Sequence, residues 1–167
     1  MMHLITGGER SGKTNYAMQC ALAVSENPIY IATARKWDKD FEERIARHQA
    51  DRSEQWENLE AEKTFDHLHL KNRVVVVDCI TLWLTNIYTD NKYEVQKSLE
   101  EATAELNKWQ MRDCTFFIIT NEIGMGVHAA TPIGRKFVEL QGWTNQHIAA
   151  CSESLTLMVS GVPLKIK

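Results

Sequence analysis

The sequence has no apolar run approaching the roughly 18 residues that a membrane-spanning helix needs, and no basic stretch followed by an apolar one near Met1. It therefore predicts neither a membrane span nor export. Cysteine is scarce and shows no paired spacing. Cys20, Cys79, Cys114 and Cys151 stand far apart with no C-x-x-C, which gives no indication of zinc and predicts reduced, mostly buried thiols in a cytoplasmic protein. An excess of positive charge is also missing. Lys and Arg number 19 against 22 Asp and Glu, the net charge is −3, and no basic stripe runs along the chain, so nucleic-acid binding is not expected and a small-molecule partner is. No internal repeat or low-complexity tract is present. What remains is ordinary for a globular chain: 44% hydrophobic and 25% charged residues over 167 positions, read as one domain, 1–167, long enough to bury a core without staples.

Against that plain background one stretch stands out, Leu-Ile-Thr-Gly-Gly-Glu-Arg-Ser-Gly-Lys-Thr at 4–14. Gly7, Gly8, Glu9, Arg10, Ser11, Gly12, Lys13 and Thr14 fill the template G-x-x-x-x-G-K-[ST], in which a glycine-rich turn wraps backbone N–H groups around a polyphosphate. Lys13 would neutralise the outer phosphates. Thr14 would place its hydroxyl on a magnesium ion, and the following helix would aim its positive end at the anion.

The rest of the chain supplies the context that this motif requires. Leu4 to Thr6 reads as the end of a strand, Asn15 to Val24 as a helix and Pro28 to Thr33 as a second strand. Asp38 can cap a helix running to about Arg52, with Phe41, Ile45, His48 and Arg52 on one face. Ser53 to His69 is polar and mixed and reads only as a loop or helix end. Val74 to Val77 is an unbroken valine run ending in Asp78, the pattern of a strand buried on both faces. Thr81 to Tyr88 is apolar with polar interruptions. Tyr93 to Arg112 predicts a long amphipathic helix with Val95, Leu99, Ala102, Leu106 and Trp109 inward. Thr115 to Thr120 predicts a buried strand, followed by a glycine-bearing loop at 121–126 of the kind that holds ligands at the carboxyl end of an open sheet. A helix over Gly134 to Ser152 and two strands, Leu155 to Val159 and Val162 to Ile166, close the chain. Strands alternating with helices predict an α/β fold of the P-loop NTPase (RecA-like) type: three layers, a mainly parallel central sheet and helices on both faces.

Two further positions invite chemistry. Asp78, closing the valine strand, has the character of the carboxylate that orders a metal ion together with the P-loop threonine. A turn or helix-capping aspartate is the plainer alternative. His48 shares its predicted face with Arg44, and Arg47 and Arg52 lie near it in sequence. A neutral imidazole is a competent nucleophile toward phosphorus, and the arginines could hold phosphate oxygens beside it. A satisfied core or rim histidine is the plainer reading there. His3, His67, His69, His128 and His147 carry no comparable spacing. Glu60, Asn121 and Glu122 are polar groups near segments that should face a ligand, and Trp56, Trp83 and Trp143 are core aromatics by default.

Taken together, the ordered segments 7–14, Tyr-Ile-Ala-Thr-Ala at 30–34, Arg-Ile-Ala-Arg-His at 44–48 with Arg52, Trp56 and Glu60, Asp-Cys-Ile-Thr-Leu-Trp-Leu-Thr-Asn at 78–86, Asn-Glu-Ile-Gly-Met-Gly at 121–126, Gly-Trp-Thr-Asn-Gln at 142–146 and Ser-Gly-Val-Pro-Leu at 160–164 resemble one family. This is the bifunctional adenosylcobinamide kinase and adenosylcobinamide-phosphate guanylyltransferase family of cobalamin biosynthesis. The resemblance implies that adenosylcobinamide is phosphorylated with ATP or GTP, with Mg²⁺, and that GMP from GTP is then transferred to that phosphate with release of pyrophosphate. It implies that His48 is the guanylylated residue. It further implies nucleotide contacts at Gly7 to Thr14, at Ala32, Thr33 and Ala34, at Gln49, Ala50, Asp51 and Arg52, at Glu60 and at Asp78, and a homo-oligomer, with a trimer among its forms. The chain departs from the family at Ser53, where proline is usual, and at Val127 to Ala130, where an apolar residue, proline and an acid are usual. It carries no N-K-x-D guanine-reading signature, so GTP is implied by the resemblance alone. A single-activity P-loop small-molecule kinase and a RecA-like nucleotide-dependent interaction module are the alternatives that the residues alone leave open.

Overall fold

Runs of β-branched and aromatic residues without a polar break set the strands, and the period of their neighbours decides which faces are covered. The computed structural model describes residues 1–35 and 55–167. The strands are β1 (Met2–Gly7), β2 (Ile29–Ala32), β3 (Glu57–Glu60), β4 (Arg73–Asp78), β5 (Cys114–Ile119), β6 (Ser154–Val159) and β7 (Val162–Lys165). Among the described residues the helices are α1 (Lys13–Leu22), α2 (Ile80–Asp90), α3 (Val95–Met111) and α4 (Pro132–Cys151), with a 3₁₀ turn at Ile123–Met125. The strands form one sheet in the order β3-β2-β4-β5-β1-β6-β7, parallel throughout except for the β6–β7 hairpin at one edge. The α/β architecture read from the sequence is the one found.

Alternation along the strands sorts the core into two layers. Leu4, Ile29, Ile31, Val75, Val77, Phe116 and Ile118 point to the face covered by α2, α3 and α4. Ile5, Tyr30, Val76, Phe117 and Ile119 point to the other, covered by Ala17 and Ala21 of α1. The valine run is unbroken because both of its faces are buried. Phe65, Trp83 and Trp109 form the aromatic centre of the first layer, Phe65 stacked on Trp109 with ring centroids 4.4 Å apart.

The structure corrects several expectations. Residues 53–69, read as loop or helix end, contain β3. Among the described residues this is an edge strand that pairs only with β2, and three of its four side chains are exposed, so no apolar alternation marks it. Helix α4 begins at Pro132, two residues early, because Thr131 accepts a hydrogen bond from Gly134 N (3.0 Å) and proline suits the first turn. The apolar stretch from Thr81 is helix α2. The helix expected over 38–52, with His48, lies outside the described residues.

Candidate active site

The glycine-rich loop joins the carboxyl end of β1 to the amino end of α1. Gly7 has φ +149°, and a Cβ there would sit 2.6 Å from the Met158 carbonyl and 2.8 Å from Ser11 Oγ; Gly12 has φ +93°. Glycine at both positions is thus a backbone necessity. Gly8, Glu9 and Arg10 are exposed, Ser11 is buried, and among the described residues no side chain caps the amino end of α1, so its first N–H groups remain for an anion. Two contacts clamp the loop from outside. Gly161 N, in the β6–β7 turn, donates to Ser11 O (3.0 Å), and Glu122 N donates to Gly7 O (3.1 Å). Lys13 is 7% exposed, and its ammonium donates to Gly8 O at 2.5 Å. Burial lowers its pKa, partly offset by nearby acidic groups that include Asp78 and Glu9.

Strand β4 delivers Asp78 to this loop. The Thr14 hydroxyl donates to Asp78 Oδ2 at 2.9 Å, and the buried Tyr30 phenol donates to the same oxygen at 2.5 Å. A hydroxyl and a carboxylate side by side at a phosphate loop form a hard-oxygen pair, which suits Mg²⁺ rather than a soft metal. Among the described residues no three His, Cys, Asp or Glu side chains gather into a metal site, so a cation here would take its remaining ligands from phosphate and water. Cys79 follows Asp78; full burial pushes its thiol up to about 12, and all four cysteines are free.

The predicted residues divide by location. Gly7 to Thr14 and Asp78 converge. Ala32 and Glu60 lie opposite each other in the β2–β3 register, at the same end of the sheet, with Asp78 on the far side of Ala32. Thr33 is wholly buried: its hydroxyl accepts from Cys79 N (2.9 Å) and donates to Cys79 O (2.8 Å), while its carbonyl accepts from Asn86 Nδ2 (2.8 Å). Its side chain is therefore occupied in tying β2 to the turn after Asp78. His48, Gln49, Ala50, Asp51 and Arg52 lie outside the described residues. Trp83 and Trp56 are buried, as a core reading expects, but Trp143 is 46% exposed. His3 belongs to the fold, stacked on Phe117 and 2.8 Å from Ser154 Oγ.

Three contributors were not read from the sequence. The sequence shows Tyr30 only as a strand residue; its place on the Asp78 face follows from the β2–β4 register. The sequence marks the Ser-Gly pair at 160–161 as a turn and gives no sign that it buttresses the phosphate loop. Gln141 and Asn145 of α4, one turn apart on a buried face, reach the loop after β5: Gln141 Nε2 donates to Thr81 Oγ1 (3.0 Å) and Thr120 Oγ1 (2.8 Å), and Thr120 Oγ1 donates to Asn145 Oδ1 (2.7 Å). Two amides at helical spacing within an apolar stripe were the available signal. A cavity of about 380 Å³ opens beside the amino ends of β4 and β5, lined in part by His69, Lys71, Arg112 and Cys114, at the opposite end of the sheet from Gly7 to Thr14 and Asp78.

The parallel sheet, the glycine loop at the end of β1, and the Thr14–Asp78 pair define a P-loop nucleotide-binding α/β protein. Comparison with known proteins narrows this class. The profile of the family described as cobinamide kinase / cobinamide phosphate guanyltransferase matches residues 3–166, and the chain belongs to that family. It is 35% identical over 172 residues to the bifunctional adenosylcobalamin biosynthesis protein CobP of Pseudomonas aeruginosa, covering 100% of this chain and 98% of that one. To the bifunctional adenosylcobalamin biosynthesis protein CobU of Escherichia coli it is 32% identical over 182 residues, and to CobU of Salmonella typhimurium 29% over 182, with complete coverage of both partners in each case. The family's description joins two activities, a cobinamide kinase and a cobinamide phosphate guanyltransferase, and these relatives are named bifunctional. Among the described residues no helix is long and apolar enough to cross a membrane.

Proposed function

We propose that this chain, acting as one domain, phosphorylates the aminopropanol hydroxyl of adenosylcobinamide with ATP or GTP. It then transfers GMP from GTP onto that phosphate through a covalent guanylyl-histidine at His48, giving adenosylcobinamide-GDP and pyrophosphate. The observation that carries the proposal is the Thr14–Asp78 contact of 2.9 Å at the foot of a glycine loop with a buried Lys13, in a chain whose family match runs from residue 3 to 166.

In the kinase step the acceptor hydroxyl attacks the γ-phosphorus as the bond to the β-phosphate oxygen breaks. Lys13 and the N–H groups of the loop hold the oxygens on which charge accumulates. Mg²⁺, held from Thr14 and Asp78, would supply further neutralisation of the phosphate oxygens. In the second step an imidazole nitrogen of His48 attacks the α-phosphorus of GTP. A P–N bond forms, the α–β P–O bond breaks and pyrophosphate leaves. The phosphate of adenosylcobinamide phosphate then attacks the same phosphorus, and the P–N bond breaks to restore the imidazole. Ala32 to Ala34, Gln49 to Arg52 and Glu60 are assigned to nucleotide contacts on the strength of the resemblance. The same resemblance supports a cytoplasmic homo-oligomer, with a trimer the form to test by light scattering.

GTP labelled at the α position, followed by precipitation under alkaline conditions that spare P–N bonds, tests the covalent step. Wild type should retain label and His48→Ala should not. Equal retention removes His48 from the mechanism, and the absence of label from both reduces the protein to a kinase.

A further inference from the structure

Tyr30 sits in β2, one strand in from the β3 edge of the parallel sheet and between β3 and β4, and is 3% exposed. A buried phenol requires a hydrogen-bond partner. The register places Tyr30 opposite Val76 and Ala32 opposite Asp78, so the phenol lies one pleat behind the carboxylate on the same face of the sheet. From there its hydroxyl donates to Asp78 Oδ2 at 2.5 Å, the oxygen that also accepts from Thr14. The ring is held edge-on against Trp56, with centroids 6.1 Å apart and an interplanar angle of 83°. Carboxylate torsions are broad and two-fold, so an aspartate at a strand end has no intrinsic reason to keep one orientation. Two hydroxyl donors on a single oxygen supply that reason.

We infer that Tyr30 is a positioning residue for the phosphate site, fixing the Asp78 carboxylate in the orientation from which Asp78 and Thr14 together engage a divalent cation bound with nucleotide. The inference rests on the assignment of Thr14 and Asp78 to the metal in the proposed function. Tyr30 touches neither substrate nor metal; it acts through Asp78. The phenol also stabilises negative charge on Oδ2, so the Thr14 proton has a steady acceptor while the threonine oxygen is free to turn to the cation.

Tyr30→Phe keeps the ring and its Trp56 contact and removes the hydroxyl that donates to Asp78. Loss of one charge-assisted hydrogen bond corresponds to about a tenfold effect. In the presence of GTP, Mn²⁺ binding followed by electron paramagnetic resonance should weaken about tenfold, and the Mg²⁺ concentration for half-maximal turnover should rise by a similar factor. At saturating Mg²⁺, kcat should return to within about threefold of wild type, because the chemistry itself is untouched. Nucleotide affinity in EDTA should not change. A merely structural role would lower the melting temperature and leave the metal titrations where they were, and that result overturns the inference. Asp78→Asn separates the two levels of the assignment. If it weakens Mn²⁺ binding while Tyr30→Phe does not, Tyr30 has no positioning role and the metal pair stands; if neither variant shifts the titration, the metal pair falls and Tyr30 with it. In the double variant the two effects should fail to add, since Tyr30 works only through the carboxylate, and full additivity counts against it.

Discussion

Lys13 shows how a single residue can be costly to the fold and necessary to the chemistry. Its ammonium is buried, and desolvation is the largest influence on it, lowering its pKa below the ordinary lysine value of 10.5. A folded-state pKa below the unfolded one means that folding disfavours the charged form. The penalty is fully present below the folded pKa and fades as pH rises through that value toward the unfolded one. Lys13→Met, similar in length and uncharged, should therefore melt no lower than wild type by calorimetry. Turnover of nucleotide should nevertheless fall by about 10²- to 10³-fold, the scale of losing one preorganised group that meets developing charge. A variant that melts well below wild type would show that the Gly8 contact outweighs the cost of burial.

At the scale of elements, the site depends on how strand ends are tied together. Thr33 bridges the N–H and C=O of Cys79 with one hydroxyl, at a point where β2 and β4 have both ended. Thr33→Val keeps the shape and strips a buried donor and a buried acceptor of their partner, which should cost about 2 to 3 kcal/mol in urea unfolding. Thr33→Ser, which retains the hydroxyl, should lose less than half of that. The elements also differ in how openly the sequence announced them. Strands β4 and β5 were legible because burial on both faces leaves an uninterrupted apolar run, and the glycine loop because Gly7 and Gly12 occupy conformations or spaces closed to other residues. Strand β3 was illegible because an exposed edge imposes no pattern on Glu57, Asn58 and Glu60. Asp78 could be proposed from its place at a strand end, but its two donors depend on register between strands far apart in the chain. Nothing in the local sequence of 30–34 tells that Tyr30 and Thr33 look inward to bind Asp78 and Cys79, whereas pairing with β4 decides it.

Across the whole molecule, the carboxyl edge of the sheet gathers the phosphate loop, Asp78 and the loop after β5, and surface charges hold the adjoining segments in place. Arg35, just beyond β2, pairs with Glu62 after β3 (2.7 Å) and with Asp90 at the end of α2 (2.8 Å), while Lys63 pairs with Asp90 (3.1 Å) and Glu101 of α3 (3.0 Å). Among the described residues, five from four parts of the chain thus share one network. Hydrogen bonding from Arg35, followed by that from Lys63, lowers the Asp90 pKa to about 2 from 3.8. The sign follows from that depression. The network's stabilisation through Asp90 is fully present above the unfolded value and is lost as pH falls through the folded one, so the window runs from about pH 4 to about pH 2. With the Asp90 side chain 35% exposed, solvent screening holds the contribution below about 1 kcal/mol. Asp90→Asn should therefore unfold at slightly lower urea than wild type at pH 7, and the gap should close as both proteins are titrated from pH 4 to 2. Salt should narrow the gap at pH 7 as well, since exposed pairs are screened. A difference of several kcal/mol, or one that persists unchanged below pH 2, would mean that Asp90 contributes through packing rather than charge.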